Sequence, residues 1–516
     1  MALSFLVVSQ MENNLSAKRL SLCMITKNEV AMLPDMLASV AGLWDELIVA
    51  DTGSTDGTIA LLQEHGATIV QHTWRDDFAA ARNASLKPAT GDWILFLDAD
   101  ERASSALCQQ ITALLKDEQA GAATVVMQNE LPGGGHREAK LLRLFRNDPD
   151  IRFHHRIHED VLQDLESFLA QEHLVVRQLS GVVQHLGYVR HIAAEKDKRK
   201  RDQELLHNVL QDDPRDFYCW FKLLESARYW RDTTLWQTVA SEVEPLLMGD
   251  LSPVELEILR RNPWSGELAA LISCGRLATP VESLAWLQQT KDRINPAAAW
   301  HLQLGLWLEQ LDRGPEALTA LTACLADERL GASHHHVRAL LASSRLVASS
   351  GDINRAMQLA QQALTVAPND QEAILAIVSF AGLDNEVLIL TDFVEQQVAA
   401  HAATASTWAE QLITNGKLEL AASLLESRSG QEPALAMGHL VCALAMGDDF
   451  ELRVELSAEK AEQALRHWVR VLWRSRQISA MSTFADKCGS VLALFPWLSN
   501  FLAAETAQLK GEHKTK

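Results

Sequence analysis

The segment Gly91-Asp92-Trp93-Ile94-Leu95-Phe96-Leu97-Asp98-Ala99-Asp100-Glu101 indicates the fold of the first part of this chain. Its five consecutive apolar residues, Trp93 to Leu97, are typical of a strand that is buried on both faces. Carboxylates follow that strand at Asp98 and Asp100. In an open α/β sheet, ligands bind beyond the carboxyl ends of the strands. We therefore expect a ligand site here, although a solvated acidic turn explains the isolated segment about equally well.

The residues around this segment alternate between strand-like and helix-like patterns. This alternation is typical of parallel βαβ units. The strands predicted before the segment are Leu20–Ile25, Leu47–Ala50 and Thr68–Gln71, and those predicted after it are Ala123–Gln128, Lys140–Phe145 and Val182–His185. The first third of the chain is therefore predicted to be an α/β domain.

Composition limits the possible functions only broadly. A chain of 516 residues is long enough for two or more domains. The formal net charge of −20 argues against a general surface for nucleic acid or anionic membranes. Seven scattered cysteines indicate a reducing compartment, and no apolar run reaches the length of a membrane span. We expect a cytoplasmic protein without a transmembrane segment.

The chain changes character near Ala193, where strand signals give way to helical spacing. Three segments each start with glycine and resemble the second helix of a tetratricopeptide hairpin. Each has a small residue where two helices would approach closely. The segments are Gly314–Leu325, Gly351–Leu364 and Gly416–Leu425. Their spacing is close to one or two repeat periods of roughly 34 residues. The second part of the chain is therefore predicted to be an all-α, tetratricopeptide-like repeat domain.

Four polar clusters follow predicted strands, where the α/β fold would bring them to one edge of the sheet. They are Asn28 and Glu29, Asp51 to Asp56, Arg82 and Asn83, and Asp98 to Glu101. The carboxylates suit hydroxyl and base N–H groups or a hard cation, and an arginine offers several donors to a diphosphate. Four such clusters in strand order indicate a nucleotide site.

These clusters also carry a resemblance to a known family. The matching segments are Thr26-Lys27-Asn28-Glu29, the stretch from Val49 to Thr58 that contains Asp51-Thr52-Gly53-Ser54-Thr55-Asp56-Gly57, Asp77-Phe78-Ala79-Ala80-Ala81-Arg82-Asn83, and Asp92 to Glu101. In order and spacing, over roughly Leu20 to Tyr188, they resemble a family 2 glycosyltransferase with the GT-A fold. The match is closest to the subgroup joined to tetratricopeptide-like helices, which includes bacteriocin S-glycosyltransferases.

The resemblance implies transfer of a sugar from a nucleotide-sugar donor, with UDP as the expected nucleotide, and inversion at the anomeric carbon. It assigns the binding of the donor to Asn28, Glu29, Asp51, Arg82 and Asp98, with Asp51 recognising the base and Glu29 contacting the nucleoside. A divalent cation, Mn²⁺ or Mg²⁺, is also implied.

The residues that the resemblance assigns to this cation are Asp98, Asp100 and His185. A histidine that caps or packs in the core explains His185 nearly as well.

Inversion requires a base that takes the proton of the acceptor. The segment Phe153-His154-His155-Arg156-Ile157-His158-Glu159-Asp160 resembles the subgroup's Ile-His-Glu segment. We expect Glu159 to be the catalytic base, with Asp160 as the next candidate. Glu159 as a surface carboxylate, or as a partner of Arg156, stays open at this stage. A zinc site at His155, His158 and Glu159 is disfavoured because its spacing is not His-Glu-X-X-His.

The predicted organisation is thus a GT-A glycosyltransferase domain over 19–190, a helical extension over 191–245, and helical repeats over 246–510. Helical repeats commonly present a concave surface to peptides, so we expect a peptide or protein acceptor. The alternative is a non-catalytic scaffold whose transferase domain is degenerate; the intact carboxylate clusters argue against it.

Overall fold

The computed structural model describes residues 18–130, 136–186, 192–275, 279–329, 333–367, 370–381, 394–395, 405–428, 433–448, 458–495, 497–500 and 502. These residues form two compact units. The first contains residues 18–130, 136–186, 192–275, 290–295 and 329. The second contains residues 279–289, 296–328 and the described residues from 333 onward.

The first unit is built on one mixed sheet. Its strands are β1 (Leu20–Thr26), β2 (Glu46–Asp51), β3 (Thr68–Gln71), β4 (Trp93–Phe96), β5 (Glu101–Ala103), β6 (Ala120–Glu130), β7 (His136–Arg146) and β8 (Val175–His185). In space the order is β3-β2-β1-β4-β7-β6-β8-β5. The strands β3, β2, β1 and β4 are parallel to one another, and β7 joins β4 in the antiparallel direction. The carboxyl ends of β1, β2 and β4 therefore lie along one edge of the sheet.

Strand β4 lies at the centre of the sheet and is buried on both faces, as its apolar sequence predicts. Trp93 and Leu95 pack into the core on one face, and Ile94 and Phe96 pack into the core on the other. None of these four side chains is more than 7% exposed. Two hydrophobic layers therefore fix the position at which β4 ends and the acidic segment begins.

Ten helices belong to the described part of the first unit. They are α1 (Leu33–Ser39), α2 (Thr58–Glu64), α3 (Phe78–Leu86), α4 (Ser105–Leu114), α5 (Leu162–Glu172), α6 (Ile192–Asp212), α7 (Phe217–Tyr229), α8 (Thr233–Met248), α9 (Pro253–Arg261) and α10 (Ser265–Gly275). Side-chain caps define several starts: Asp77 accepts a hydrogen bond from the Ala80 N–H, and Asp216 accepts one from the Cys219 N–H. Such caps satisfy N–H groups that have no partner in the first turn of a helix.

All regular secondary structure described in the second unit is helical, as the sequence predicts. Its helices are α11 (Pro280–Thr290), α12 (Ala298–Gln310), α13 (Gly314–Leu325), α14 (Ser333–Ser349), α15 (Ile353–Val366), α16 (Gln371–Ala381), α17 (Ala405–Thr414), α18 (Leu418–Arg428), α19 (Pro433–Met446), α20 (Ala458–Arg474), α21 (Ile478–Lys487) and α22 (Gly489–Leu494). Ala317, Ala356 and Ala421 are each 0% exposed, which agrees with their predicted place between closely packed helices.

The expected fold class, an α/β domain followed by an all-α repeat domain, is confirmed. The sequence did not predict β5, because a three-residue strand carries too little periodicity. It also did not predict that β7 runs antiparallel between β4 and β6. Among the described residues, no helix is both long enough and apolar enough to span a membrane.

The predicted domain boundaries at 190 and 245 remain predictions. The first of them falls at residues outside the described ranges. Helices α6 to α10, which include the predicted extension, belong to the same compact unit as the sheet.

Gly181 lies where β8 passes closest to α4, and a side chain has no room there. A Cβ atom at Gly181 would lie 2.4 Å from the Cα atom of Leu107. We expect Gly181→Ala to lower the free energy of unfolding by about 1–3 kcal/mol, because the backbone of one element must shift. Urea titration measures this change. The matched control is Gly489→Ala, where a Cβ atom meets nothing within 4 Å; an equal loss in both variants would contradict the close approach.

Candidate active site

The turn after β2 is organised by the buried side chain of Asp51. This carboxylate is 0% exposed. One of its oxygens accepts from the N–H groups of Gly53 (3.0 Å) and Ser54 (2.9 Å), and the other accepts from the hydroxyls of Ser54 (2.5 Å) and Thr26 (3.3 Å). Both oxygens are thus engaged within the protein. Asp51 shapes the turn, and its predicted contact with a nucleotide base remains a prediction.

The loop after β1 is joined to the loop after β2 by hydrogen bonds. The Asn28 N–H donates to the Ser54 hydroxyl at 2.9 Å, and the Asn28 side-chain oxygen accepts from the Thr55 N–H at 2.8 Å. The Glu29 N–H donates to the Thr58 hydroxyl at 2.8 Å. Asn28 has a φ of 58°, a left-handed conformation that asparagine adopts more readily than most residues. The structure therefore brings Asn28, Glu29 and the Asp51 turn together.

The acidic segment after β4 is folded around Glu101. The Glu101 carboxylate accepts from the Asp98 N–H at 3.0 Å and from the Arg143 guanidinium on β7 at 2.6 Å. Burial raises the pKa of Glu101, Arg143 opposes this shift, and the nearby charge of Asp98 adds to it. Glu101 therefore serves as an internal anchor that sets the direction of the Asp98 backbone.

Arg82 connects the end of β4 with the loop that precedes α5. This arginine projects from α3 with only 8% of its side chain exposed. Its Nη2 atom donates to Asp98 at 2.9 Å, and its Nε atom donates to Glu159 at 2.6 Å. The guanidinium also lies 5.4 Å from the ring centre of Phe96 and 5.7 Å from that of Phe153. The Arg82 side chain thus pairs both with Asp98, a predicted donor-binding residue, and with Glu159, the predicted base.

The opposite charges of Arg82 and its carboxylate partners stabilise each other. Burial opposes the charge on Arg82, but Asp98 and Glu159 outweigh this effect and raise the pKa of Arg82. Burial likewise opposes the charge on Asp98, yet Arg82 and Arg143 hold the pKa of Asp98 below its usual range. At neutral pH the arginine and Asp98 are therefore both charged.

Asp100 and His185 lie side by side at the same edge of the sheet. The His185 Nε2 atom is 3.3 Å from an Asp100 carboxylate oxygen, and its Nδ1 atom is 2.7 Å from the side-chain oxygen of Asn129. The pairing of β5 with β8 brings these residues together, because Glu101 is opposite His185 in that pair. In the described part of the chain, no three His, Cys, Asp or Glu side chains are grouped in a way that would hold a metal ion by themselves.

The two candidates for the catalytic base, Glu159 and Asp160, differ in the partners of their carboxylates. Glu159 is 12% exposed and pairs with Arg82, whereas Arg156 pairs with Asp212 on α6. Asp160 accepts from the Leu162 N–H at 2.9 Å, and its backbone forms a bridge with His154. Asp160 is therefore occupied at the start of α5, and Glu159 faces the arginine.

The predicted residues form two neighbouring groups. Asn28, Glu29 and Asp51 belong to the loops after β1 and β2, and the remaining six belong to the group around the end of β4 and the loop before α5: Arg82, Asp98, Asp100, Glu159, Asp160 and His185. The sequence analysis did not find Arg143 or Asn129. A charged residue within the apolar run Leu141 to Phe145 was a usable signal for Arg143; Asn129 had none.

Parts of the chain are similar in sequence to known proteins. Residues 21–168 match the model of glycosyl transferase family 2. A TPR repeat-containing protein of Synechococcus elongatus is 36% identical over 293 residues, which cover 55% of this chain and 69% of that protein. The chain belongs to the family 2 glycosyltransferases joined to tetratricopeptide-like repeats.

A second relative and one solved structure are also similar to parts of the chain. The SPbeta prophage-derived glycosyltransferase SunS of Bacillus subtilis is 28% identical over 193 residues. That match covers 37% of this chain and 44% of SunS, so it is limited to less than half of the relative. A crystal structure of S. aureus TarS 1–349 with UDP-GlcNAc aligns with a TM-score of 0.31 and 15% identity, over 57% of this chain and 92% of that one.

Removing the charge of Arg82 tests the pairing directly. In Arg82→Met, two partly buried carboxylates lose their shared cation, and we expect a loss of about 3 kcal/mol in the free energy of unfolding at pH 7.5. Arg82 holds the pKa of Asp98 below its unfolded value, so this stabilisation is present above that value and is lost as the pH falls. The difference between the two proteins should therefore stay constant near neutral pH and shrink as the pH falls below about 4, the usual pKa of an unfolded aspartate.

Unfolding curves from about pH 2.5 to pH 8 measure this difference. The control is Arg82→Met combined with Asp98→Asn and Glu159→Gln, which removes all three charges and should recover much of the loss. A difference that stays constant with pH would contradict the ion-pair account.

Proposed function

We propose that this glycosyltransferase moves a sugar from a nucleotide-sugar donor to an acceptor with inversion at the anomeric carbon. The observation that carries the proposal is the position of Arg82 between Asp98, at the end of β4, and Glu159, in the loop before α5. Inversion by a single displacement needs a group that holds the leaving diphosphate and, separately, a base for the acceptor. Asp98 and Glu159 pair with different nitrogens of one guanidinium; Asp98 would help hold a divalent cation for the diphosphate, and Glu159 would serve as the base.

On the donor side, the joined loops after β1 and β2 offer a binding edge for the nucleotide. The exposed Asn28 and the neighbouring Glu29 border this edge, and Asp51 maintains its turn. Open α/β sheets bind ligands at this position in general. We propose a UDP-linked donor as the first class to test.

The residues at the sheet edge also fit a divalent cation. Mg²⁺ and similar ions are commonly held by one or two carboxylates together with water and substrate phosphates, so a complete cage of protein ligands is not needed. Asp100 and His185, 3.3 Å apart, would hold the ion, with Asp98 beside them. When bound, such a cation neutralises negative charge on a leaving diphosphate.

On the acceptor side, Glu159 is the proposed base. Its side chain is 12% exposed, and its carboxylate is held in place by Arg82. Asp160 is the weaker candidate because its side chain already accepts a hydrogen bond from the Leu162 N–H. Glu159 would accept the proton of the acceptor nucleophile as that atom attacks the sugar.

We also propose that the acceptor is a polypeptide and that the second unit binds it. Paired helices of this type present extended surfaces to peptides and proteins in many families. The alternative of a non-catalytic scaffold is not favoured, because Asp98, Asp100 and Glu159 are all intact and the arginine that links two of them is in place.

Replacing Asp100 tests the role of the cation. The wild-type chain is first tested against nucleotide sugars, with and without Mn²⁺, by thermal shift and by release of the nucleoside diphosphate. With the best donor, Asp100→Asn should lower turnover by about 100-fold or more, because a weaker ligand holds the charge that stabilises the leaving group. The control is Asp150→Asn, which changes an exposed carboxylate of the same unit. No turnover of any nucleotide sugar by the wild-type chain would contradict the proposed function.

Replacing Glu159 tests the role of the base. Glu159→Gln keeps the size of the side chain but removes its basicity, so kcat should fall by about 10²- to 10⁴-fold. The affinity for the nucleotide should stay close to that of the wild type. Nuclear magnetic resonance of the product reports the anomeric configuration, which should be inverted. Retention of configuration, or an unchanged kcat in this variant, would contradict the assignment.

A further inference from the structure

The loop that carries Glu159 has an unusual backbone. His155 and His158 have φ angles of 68° and 56°, in the left-handed region. Residues with a Cβ atom are uncommon there, and such conformations persist where the surrounding structure holds them. Two of them within four residues, next to the proposed base, indicate that contacts from outside the loop fix its shape.

The α/β domain supplies the first set of these contacts. The backbones of His154 and Asp160 form a bridge that closes the loop. Asn83 on α3 exchanges two hydrogen bonds with the Phe153 backbone, both at 2.9 Å. The Phe78 N–H donates to the Arg156 carbonyl at 2.8 Å. These bonds hold the two ends and one side of the loop, but none of them reaches the peptide bond before Glu159.

Helix α7 supplies that contact through Tyr218. The Tyr218 hydroxyl donates to the His158 carbonyl oxygen at 2.5 Å. This carbonyl belongs to the peptide unit whose nitrogen is that of Glu159. The His155 ring stacks on the Tyr218 ring, with centroids 3.6 Å apart and planes inclined by 19°. Tyr218 therefore contacts both left-handed residues.

Other aromatic residues of the helical segment hold Tyr218 itself. Trp264, just before α10, packs edge-on against Tyr218 at 4.7 Å and stacks with Phe221 at 5.1 Å. Tyr218 is only 3% exposed. A buried, packed side chain has few rotamers available, so its hydroxyl can fix the position of its acceptor.

We infer that Tyr218 is a positioning residue for Glu159 and that the helices after the α/β domain thereby complete the acceptor side of the active site. This inference rests on the proposed function. The Glu159 side chain is held at its carboxylate by Arg82, and its backbone is held by Tyr218 through the His158 carbonyl. Without the hydrogen bond from Tyr218, only Arg82 holds Glu159 in position. The Glu159 carboxylate would then be placed less precisely relative to an acceptor.

The test compares Tyr218→Phe with Tyr229→Phe in the full-length chain. Both remove one hydroxyl from α7, but Tyr229 is 61% exposed. With the best donor from the screen, and water or the acceptor as nucleophile, Tyr218→Phe should lower kcat by about 10- to 100-fold, as small misplacements of reacting groups do. The dissociation constant of UDP with Mn²⁺ should stay within about twofold, because the donor side does not involve Tyr218. Tyr229→Phe should match the wild type in both quantities.

Hydrogen exchange provides a readout that does not depend on activity. In Tyr218→Phe, amide exchange in the peptide covering residues 154–160 should become faster, while exchange in β1, β2 and β4 stays unchanged. Wild-type kcat together with wild-type exchange in this loop would overturn the inference. A parallel loss of UDP affinity and of protection throughout the sheet would overturn it too, since that result indicates general destabilisation. If the wild-type chain turns over no nucleotide sugar, the proposed function fails. The exchange comparison then still tests whether Tyr218 fixes the conformation of the loop at residues 154–160.

Discussion

The rest of this site depends on the burial of one cation, the Arg82 guanidinium, between two carboxylates. Removing a guanidinium from water is costly unless its hydrogen bonds and charge are satisfied. Asp98 and Glu159 satisfy both requirements, and the rings of Phe96 and Phe153 lie against the group. Because the three charged groups come from α3, from the end of β4 and from the loop before α5, their pairing requires these elements to meet at one point.

Around that cation, the carboxylates have separate tasks. Asp51 and Glu101 are buried and engaged by hydrogen bonds within the protein, so they shape the turn after β2 and the segment after β4. Asp100 lies beside His185, and Glu159 accepts from the Nε atom of Arg82. A site with many acidic residues thus uses some of them for structure, which leaves the others in defined positions for ligands.

The sequence predicted the strands and the acidic segment well because these depend on local patterns. The apolar run Trp93 to Leu97 is too short for a typical buried helix and is bounded by Gly91-Asp92 and Asp98, which favours a central strand. It could not predict that Arg82 pairs with Glu159, since those residues are 77 positions apart and no local pattern joins them. It also could not show that Asp51 is engaged within its own turn, because a carboxylate that binds a ligand and one that caps a turn look alike in sequence. The contact of Tyr218 with the loop before α5 likewise joins residues 60 positions apart, so only the structure shows it.

The most direct measurement is a crystal structure of the chain with UDP and Mn²⁺. The account predicts that the nucleotide lies at the carboxyl ends of β1, β2 and β4, with the ion beside Asp100 and His185 and with Arg82 still between Asp98 and Glu159. A nucleotide bound elsewhere on the chain, or an ion held by residues outside this group, would contradict the central claim that this edge of the sheet is the active site.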